Sequence, residues 1–240
     1  MTGKKALPIA ILAGGLATRL GPLTKATPKS LLMVSGAPFI DHQLRLLAAR
    51  GAERVVLCLG HFGETIRDHV GDGSRFGLDV RYSFDGEKLM GTGGAIKRAM
   101  GLLGEKFMTL YGDSYLDLDY AEMTERFCAT GLPGMMAVYR NEGRWDKSNV
   151  LFKDGRIAVY DKRADIPEML HIDAGALAFD SSVFDGFPSD APFDLAFVCS
   201  KLVNEGKLAA YECPRRFFEI GSVEGLKELE ALLAKTGEGR

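Results

Sequence analysis

The chain has 240 residues with 30 basic and 32 acidic side chains, a formal net charge of −2 and 46% hydrophobic content. That is ordinary for one or two soluble domains whose core is large enough to need no staples. It offers no basic face for a nucleic acid. The longest mainly apolar run, residues 8–17, is well short of the roughly 20 residues a spanning helix needs.

The start, MTGKKALPIAIL, lacks the long apolar core and small-residue cleavage site of a secretory signal, so a cytoplasmic protein is expected. Residues 8–13 (PIAILA) are continuously apolar, which predicts a strand buried on both faces. Residues 38–50 repeat apolar side chains at Ile40, Leu44, Leu47 and Ala48 and stop at Gly51, the pattern of a helix. A strand at 54–59, a short helix near 63–70, a strand near 78–83, a helix at about 93–103 and a strand at 106–111 follow. This alternation predicts a parallel sheet with helices on both faces. The second half changes rhythm. LFKDGRIAVY (151–160) is a hairpin around Asp154-Gly155. Runs at 170–179 and 207–212 read as strands, and a last helix starts at Ser222 with Val223, Leu226, Leu229 and Leu233 on one face. The expected fold is a single α/β domain over 1–240: a three-layer, doubly wound, mostly parallel sheet with an antiparallel insertion over roughly 134–180. Cys58, Cys128, Cys199 and Cys213 are scattered without a CxxC pair and read as buried thiols.

Glycine is the one skewed count, 29 in 240 residues, about 12% against a usual share of about 7%. The glycines gather at 14–15, in GTGG (91–94), and at Gly112 and Gly221, mostly after strand-like runs, as ligand loops do. The richest stretch is AGGLATRLGPLTKATPKSL (13–31). Gly14 and Gly15 let the backbone turn and approach a ligand, and Arg19 and Lys29 bring two positive charges to the same loop, a combination suited to a triphosphate. Two familiar phosphate motifs fail on the letters. GGLATR puts an arginine where a dinucleotide GxGxxG needs its third glycine, and Lys29 follows Pro28 where a P-loop needs glycine.

The stretch resembles the signature GGxGTRLxPLTxxxPKxL of the sugar-1-phosphate nucleotidylyltransferases, matched by Gly14, Gly15, Thr18, Arg19, Leu20, Pro22, Leu23, Thr24, Pro28, Lys29 and Leu31. Ala17 departs from the family's glycine. GTGGAIK (91–97) is similar to the family's GTGGA segment, Gly112-Asp113 to its metal-binding GD, and Asp161-Lys162-Arg163 to its EKP. Asp173-Ala174-Gly175 stands for its NAG or DAG, and Glu219-Ile220-Gly221-Ser222 for its DIGT. Among subgroups the chain resembles the short heptose or mannose 1-phosphate guanylyltransferases. The resemblance implies a Rossmann-like nucleotidyltransferase fold, with a nucleotide-binding half at about 1–130 and a sugar-binding half at about 131–240.

It also implies a reaction: a sugar 1-phosphate oxygen attacks the α-phosphorus of a nucleoside triphosphate, and pyrophosphate leaves. The attacking phosphate is already an anion, so no general base is needed, and positioning and charge neutralisation carry the catalysis. Mg2+ is the implied cofactor, with Asp113 and Glu219 as its carboxylates, Glu219 departing from the family's aspartate. Arg19 is expected on the β and γ phosphates, and Lys29 near the α-phosphorus. Ala13, Gly14, Gly15, Thr18, Glu87, Gly91 and Thr92 are expected around the nucleotide. Gly112, Asp161, Lys162, Asp173 and Gly175 are expected around the sugar phosphate. Guanine's N1–H and amino donors suit a carboxylate, uracil suits an amide side chain, and residues 83–94 offer Asp85 and Glu87 but no Asn or Gln, which favours GTP.

Trp145 stacks on a sugar, covers the site or simply packs, Phe217 and Phe218 read as core, and His171 as a structural histidine. Alternatives remain open: UTP or CTP with another acceptor, such as another hexose, an N-acetyl sugar phosphate or phosphocholine, or a non-catalytic nucleotide-sugar sensor. A monomer or homodimer, with no nucleic-acid or membrane partner, is expected.

Overall fold

A strand of unbroken apolar residues is stable only with cover on both faces, and helices packed on the sheet supply it. The computed structural model describes residues 5–15, 27–164 and 166–236. Its strands are β1 (Ile9–Leu12), β2 (Met33–Val34), β3 (Ala37–Pro38), β4 (Arg54–Leu59), β5 (Asp79–Phe84), β6 (Lys106–Tyr111), β7 (Ser114–Tyr115), β8 (Gly134–Arg140), β9 (Val150–Lys153), β10 (Arg156–Tyr160), β11 (His171–Asp180), β12 (Leu208–Glu212) and β13 (Phe218–Glu219). Its α-helices are α1 (Phe39–Ala49), α2 (Gly63–Val70), α3 (Gly91–Leu103), α4 (Tyr120–Thr130), α5 (Leu195–Asn204) and α6 (Val223–Thr236).

Among the described residues, nine strands form one sheet in the order β5-β4-β1-β6-β11-β8-β12-β10-β9. Alternation along β1 assigns the two layers. Ile9 and Ile11 pack with Ile40 and Leu44 of α1, Ile66 of α2 and Phe127 of α4. Ala10 faces the other way, toward Ile96 of α3 and Val198 of α5. Helices therefore cover both faces, in three layers.

The expectation of a mostly parallel sheet with a separate insertion needs correction. β5, β4, β1 and β6 are parallel, but β11 runs antiparallel to both β6 and β8 in the middle of the same sheet. The sheet is mixed, and the second-half strands belong to it. The reason lies in β11, whose residues 172–179 are all buried. A strand wetted on neither face cannot sit in a peripheral hairpin layer. Asp154 and Gly155 turn the β9–β10 hairpin with φ of 52° and 75°, as an Asp-Gly turn requires. Cys128 is exposed, contrary to expectation, while the other three cysteines are buried thiols. Among the described residues, no helix is long and apolar enough to cross a membrane.

Phe179 of β11 is fully buried, edge-on to Phe184 at 5.5 Å and 6.2 Å from Phe107. Phe179→Ala should destabilise by about 3–5 kcal/mol, read from urea midpoints. Phe197→Ala on the outer face of α5, 65% exposed, should stay within about 0.5 kcal/mol. Equal losses at the two positions would contradict this core.

Candidate active site

The ends of β1, β4 and β6 lie side by side, and glycine lets their backbones touch. Ala13 N–H donates to the Cys58 carbonyl at 2.9 Å, and Gly112 N–H to the Leu12 carbonyl at 3.0 Å. A Cβ on Gly112 would stand 2.6 Å from the Leu12 carbonyl oxygen, and one on Gly60 2.8 Å from that of Gly14. Beyond these ends opens a cavity of about 370 Å³, where a parallel sheet commonly binds its ligands. Ala13, Gly14, Gly15, Lys29, Asp85, Gly91, Thr92, Gly112 and Asp113 all line it.

Lys29 opens a short 3-10 turn, Lys29–Leu31, that turns its ammonium across the cavity to the Asp113 carboxylate at 2.5 Å. Both side chains are mostly shielded, at 15% and 24% exposure. The turn carrying Asp113 is pinned on two sides. Gln43, buried on α1, donates to the carbonyls of Tyr111 (3.1 Å) and Ser114 (2.8 Å). On the other side β13 pairs with β7, setting Glu219 opposite Ser114, and Ile220 N–H donates to the Asp113 carbonyl at 2.9 Å. Burial, then the Asp113 charge, push the Glu219 carboxyl up to about 7, with Lys29 opposing. Two carboxylates, Asp113 in the turn before β7 and Glu219 on the paired β13, fit Mg2+, which takes one or two carboxylates and completes its octahedron with phosphate oxygens and water. Among the described residues, no group of three or more His, Cys, Asp and Glu side chains could by itself hold a metal.

The residues expected around the sugar phosphate, apart from Gly112, do not line this cavity. Among them, the register between β11 and β8 shifts after Asp173, and Gly175 adopts φ of 86°. Its missing side chain leaves room for Ser114 and Tyr111, which a Cβ would approach to 3.1 and 3.3 Å. Asp173 is buried and accepts from Tyr160 Oη (3.0 Å) and Gly175 N–H (2.9 Å). Lys162 is near it, with its ammonium 5.7 Å from the Tyr111 ring centre. Asp161 turns inward on its own loop, accepting from the backbone of Arg163 and Ala164.

The remaining expected residues divide. Thr18 and Arg19 lie outside the described residues. Glu87 is exposed and does not line the cavity, whereas Asp85, two residues earlier, is buried in its wall. Asp85 Oδ2 accepts from Met90 N–H at 3.1 Å; its other oxygen has no partner among the described residues. Gly91 and Gly93 of GTGG are required by packing against Phe193. A Cβ on Gly91 or Gly93 would reach 2.6 Å from the Phe193 carbonyl or 2.3 Å from its ring. Thr92 ties α3 to the start of α5 through the Asp194 carboxylate at 3.0 Å. His61, Leu89 and Ser30 also line the cavity and were missed. The one available signal was Gly60-His61 after a buried strand, which parallels Gly14-Gly15 after β1. A second cavity of about 320 Å³, holding Glu219, Trp145 and Arg216, adjoins the first at Gly221. Trp145 is 54% exposed and stacks under the Arg216 guanidinium at 3.7 Å. His171 pairs with Glu212 at 3.1 Å.

The family model for nucleotidyl transferases matches residues 9–147. The chain belongs to that family and is a sugar-1-phosphate nucleotidyltransferase. It is 29% identical to the N-acetylmuramate alpha-1-phosphate uridylyltransferase of Neisseria meningitidis serogroup B, over 92% of this chain and 96% of that one. It is 30% identical to the mannose-1-phosphate guanylyltransferase of Mycobacterium tuberculosis, over 74% of this chain but only 50% of that one. The fold matches a crystal structure of HddC from Yersinia pseudotuberculosis complexed with GMP-PN, with a TM-score of 0.79, 24% identity and coverage of 95% and 99%.

Gln43→Leu keeps the volume and removes both donations to the Asp113 turn. Stability should fall by about 1–3 kcal/mol, and turnover should fall at saturating substrates. Unchanged turnover with the expected stability loss would separate Gln43 from the site.

Proposed function

We propose that the enzyme transfers a guanylyl group from GTP to a heptose- or mannose-type sugar 1-phosphate, releasing pyrophosphate. The observation that carries this reading is the shared cavity: the glycine turn after β1, the Lys29–Asp113 pair and the buried Asp85 carboxylate all face it. The first two serve phosphates, and the third serves a base.

In this reading the donor's phosphates lie against the turn at 13–15, with Arg19 on the β and γ groups. Lys29 leaves Asp113 to meet the charge growing at the α-phosphorus. The acceptor phosphate, steered by Lys162, forms the new P–O bond as the bond to pyrophosphate breaks, and no proton moves. Asp113 and Glu219 would hold Mg2+, which when bound neutralises charge between the two phosphate groups. The free Asp85 oxygen accepts from guanine N1–H or its amino group. A carboxylate cannot donate to a uracil carbonyl, and no Asn or Gln lines the cavity among the described residues. UTP is the second reading, favoured by the meningococcal relative, which the chain covers almost end to end.

A pyrophosphate-release assay over GTP, UTP, CTP, ATP and dTTP, crossed with mannose, heptose, glucose and N-acetylmuramate 1-phosphates, tests the assignment. GTP should exceed UTP in kcat/KM by about tenfold or more; UTP ahead of GTP overturns it. Asp85→Asn should lower kcat/KM for GTP by about 10–100-fold, as expected for a lost hydrogen bond to a charged group, and disturb UTP less. Lys29→Ala and Asp113→Asn should each cost about 10²–10³ in kcat while the fold persists. Near-normal turnover in either would remove the electrostatic basis of the site.

A further inference from the structure

The two lysines assigned to the reacting phosphates are held in different ways. Lys29 is paired with a carboxylate. Lys162 has no carboxylate within ion-pair distance among the described residues, although Asp173 is near enough for their charges to interact. Its ammonium lies 5.7 Å from the Tyr111 ring centre and 5.9 Å from that of Tyr160, both within cation–π range. Tyr160 closes the arrangement. It is 8% exposed, and its hydroxyl donates to Asp173 Oδ2 at 3.0 Å while Gly175 N–H occupies Oδ1 at 2.9 Å. Both oxygens of this buried carboxylate near Lys162 therefore have a donor already.

We infer that Tyr160 is a positioning residue for the acceptor phosphate: its hydroxyl occupies Asp173 and its ring carries Lys162, so that the ammonium stays unpaired and aimed at the incoming phosphate. The assignment of Lys162 to that phosphate rests on the proposed function; the geometry of Tyr160, Asp173 and Lys162 does not. A cation held by ring faces keeps its attraction for a phosphate, because a ring quadrupole is a weaker partner than a carboxylate. Without the phenol hydroxyl, Asp173 Oδ2 is left buried and unpaired, and the nearest compensating group is the Lys162 ammonium. Pairing with it would withdraw the lysine from the acceptor.

The test compares wild type, Tyr160→Phe, Asp173→Asn and the double variant. Tyr160→Phe keeps the ring and should raise KM for the sugar 1-phosphate about tenfold, the size of a lost hydrogen bond to a charged group, with KM for the nucleotide unchanged. In the double variant a neutral amide replaces the Asp173 carboxylate and cannot capture Lys162, so acceptor KM should return to that of Asp173→Asn alone. A second readout needs no turnover: the Lys162 side-chain NMR resonance, assigned by its loss in Lys162→Arg, should move in Tyr160→Phe and return toward the Asp173→Asn value in the double variant. If that resonance stays still and acceptor KM is unchanged, Tyr160 does not position Lys162, whatever the enzyme's substrate. If the resonance moves as expected but wild type transfers to no sugar 1-phosphate, the positioning role stands and the proposed function falls. Equal increases in both Michaelis constants, unrelieved in the double variant, mark a merely structural role and overturn the inference.

Discussion

The contact on which the site depends is the Lys29–Asp113 ion pair, 2.5 Å long and mostly shielded from water. It joins two chain segments 84 residues apart, the 3-10 turn Lys29–Leu31 and the turn after β6. Such a pair is worth little unless its geometry is held and desolvation is offset by further hydrogen bonds. Here the holding is done by neutral groups. Gln43 clamps the carbonyls on either side of Asp113, and Ile220 fixes its own carbonyl. The carboxylate is thus kept in place by backbone bonds that would survive the departure of the lysine. A bound polyanion can then take Lys29 without dismantling the turn.

Much of the scaffold was legible because it follows local periodicity. β1 is a continuous apolar run, β4 and β6 are mostly apolar, α1 has helical spacing, and Asp-Gly marks the β9–β10 turn. What escaped was relational. Nothing near residues 171–180 states that β11 lies between β6 and β8, because an unbroken apolar run reports that both faces are covered but not by which neighbours. The helix α4 carries its own local signal: Asp119 accepts from the Glu122 N–H at 2.8 Å, Tyr120, Met123 and Phe127 share the buried stripe, and Gly131 ends it.

The site divides along the same line. Gly14, Gly15, Lys29, Gly112 and Asp113 are far apart in the chain but share one motif set, and the fold sets them around one cavity. Asp85 and Glu87 show where letters fail. Within a strand, residues two apart point the same way, but β5 ends at Phe84, and beyond it parity no longer assigns faces. The Met90 N–H that captures Asp85 decides which acid turns inward. The GTGG glycines have a reason that the letters do not carry, since Phe193, a hundred residues on, is what crowds Gly91 and Gly93.

Charge balance accounts for the unlike treatment of the two lysines. The region holds carboxylates at Asp85, Asp113, Asp173 and Glu219, an arrangement hostile to phosphates unless each acid is answered. Asp113 is answered by Lys29, Asp173 by a phenol and an amide, and Asp85 by one amide. Glu219 instead meets the Asp113 charge in partial burial, which raises its proton affinity. Answering Asp173 with neutral donors is what leaves Lys162 with its charge uncommitted. Had a lysine answered both Asp113 and Asp173, both Lys29 and Lys162 would be committed before any ligand arrived. As built, Lys162 keeps its charge uncommitted beside Asp173, and Lys29 is a cation that a bound polyanion would have to draw away from Asp113.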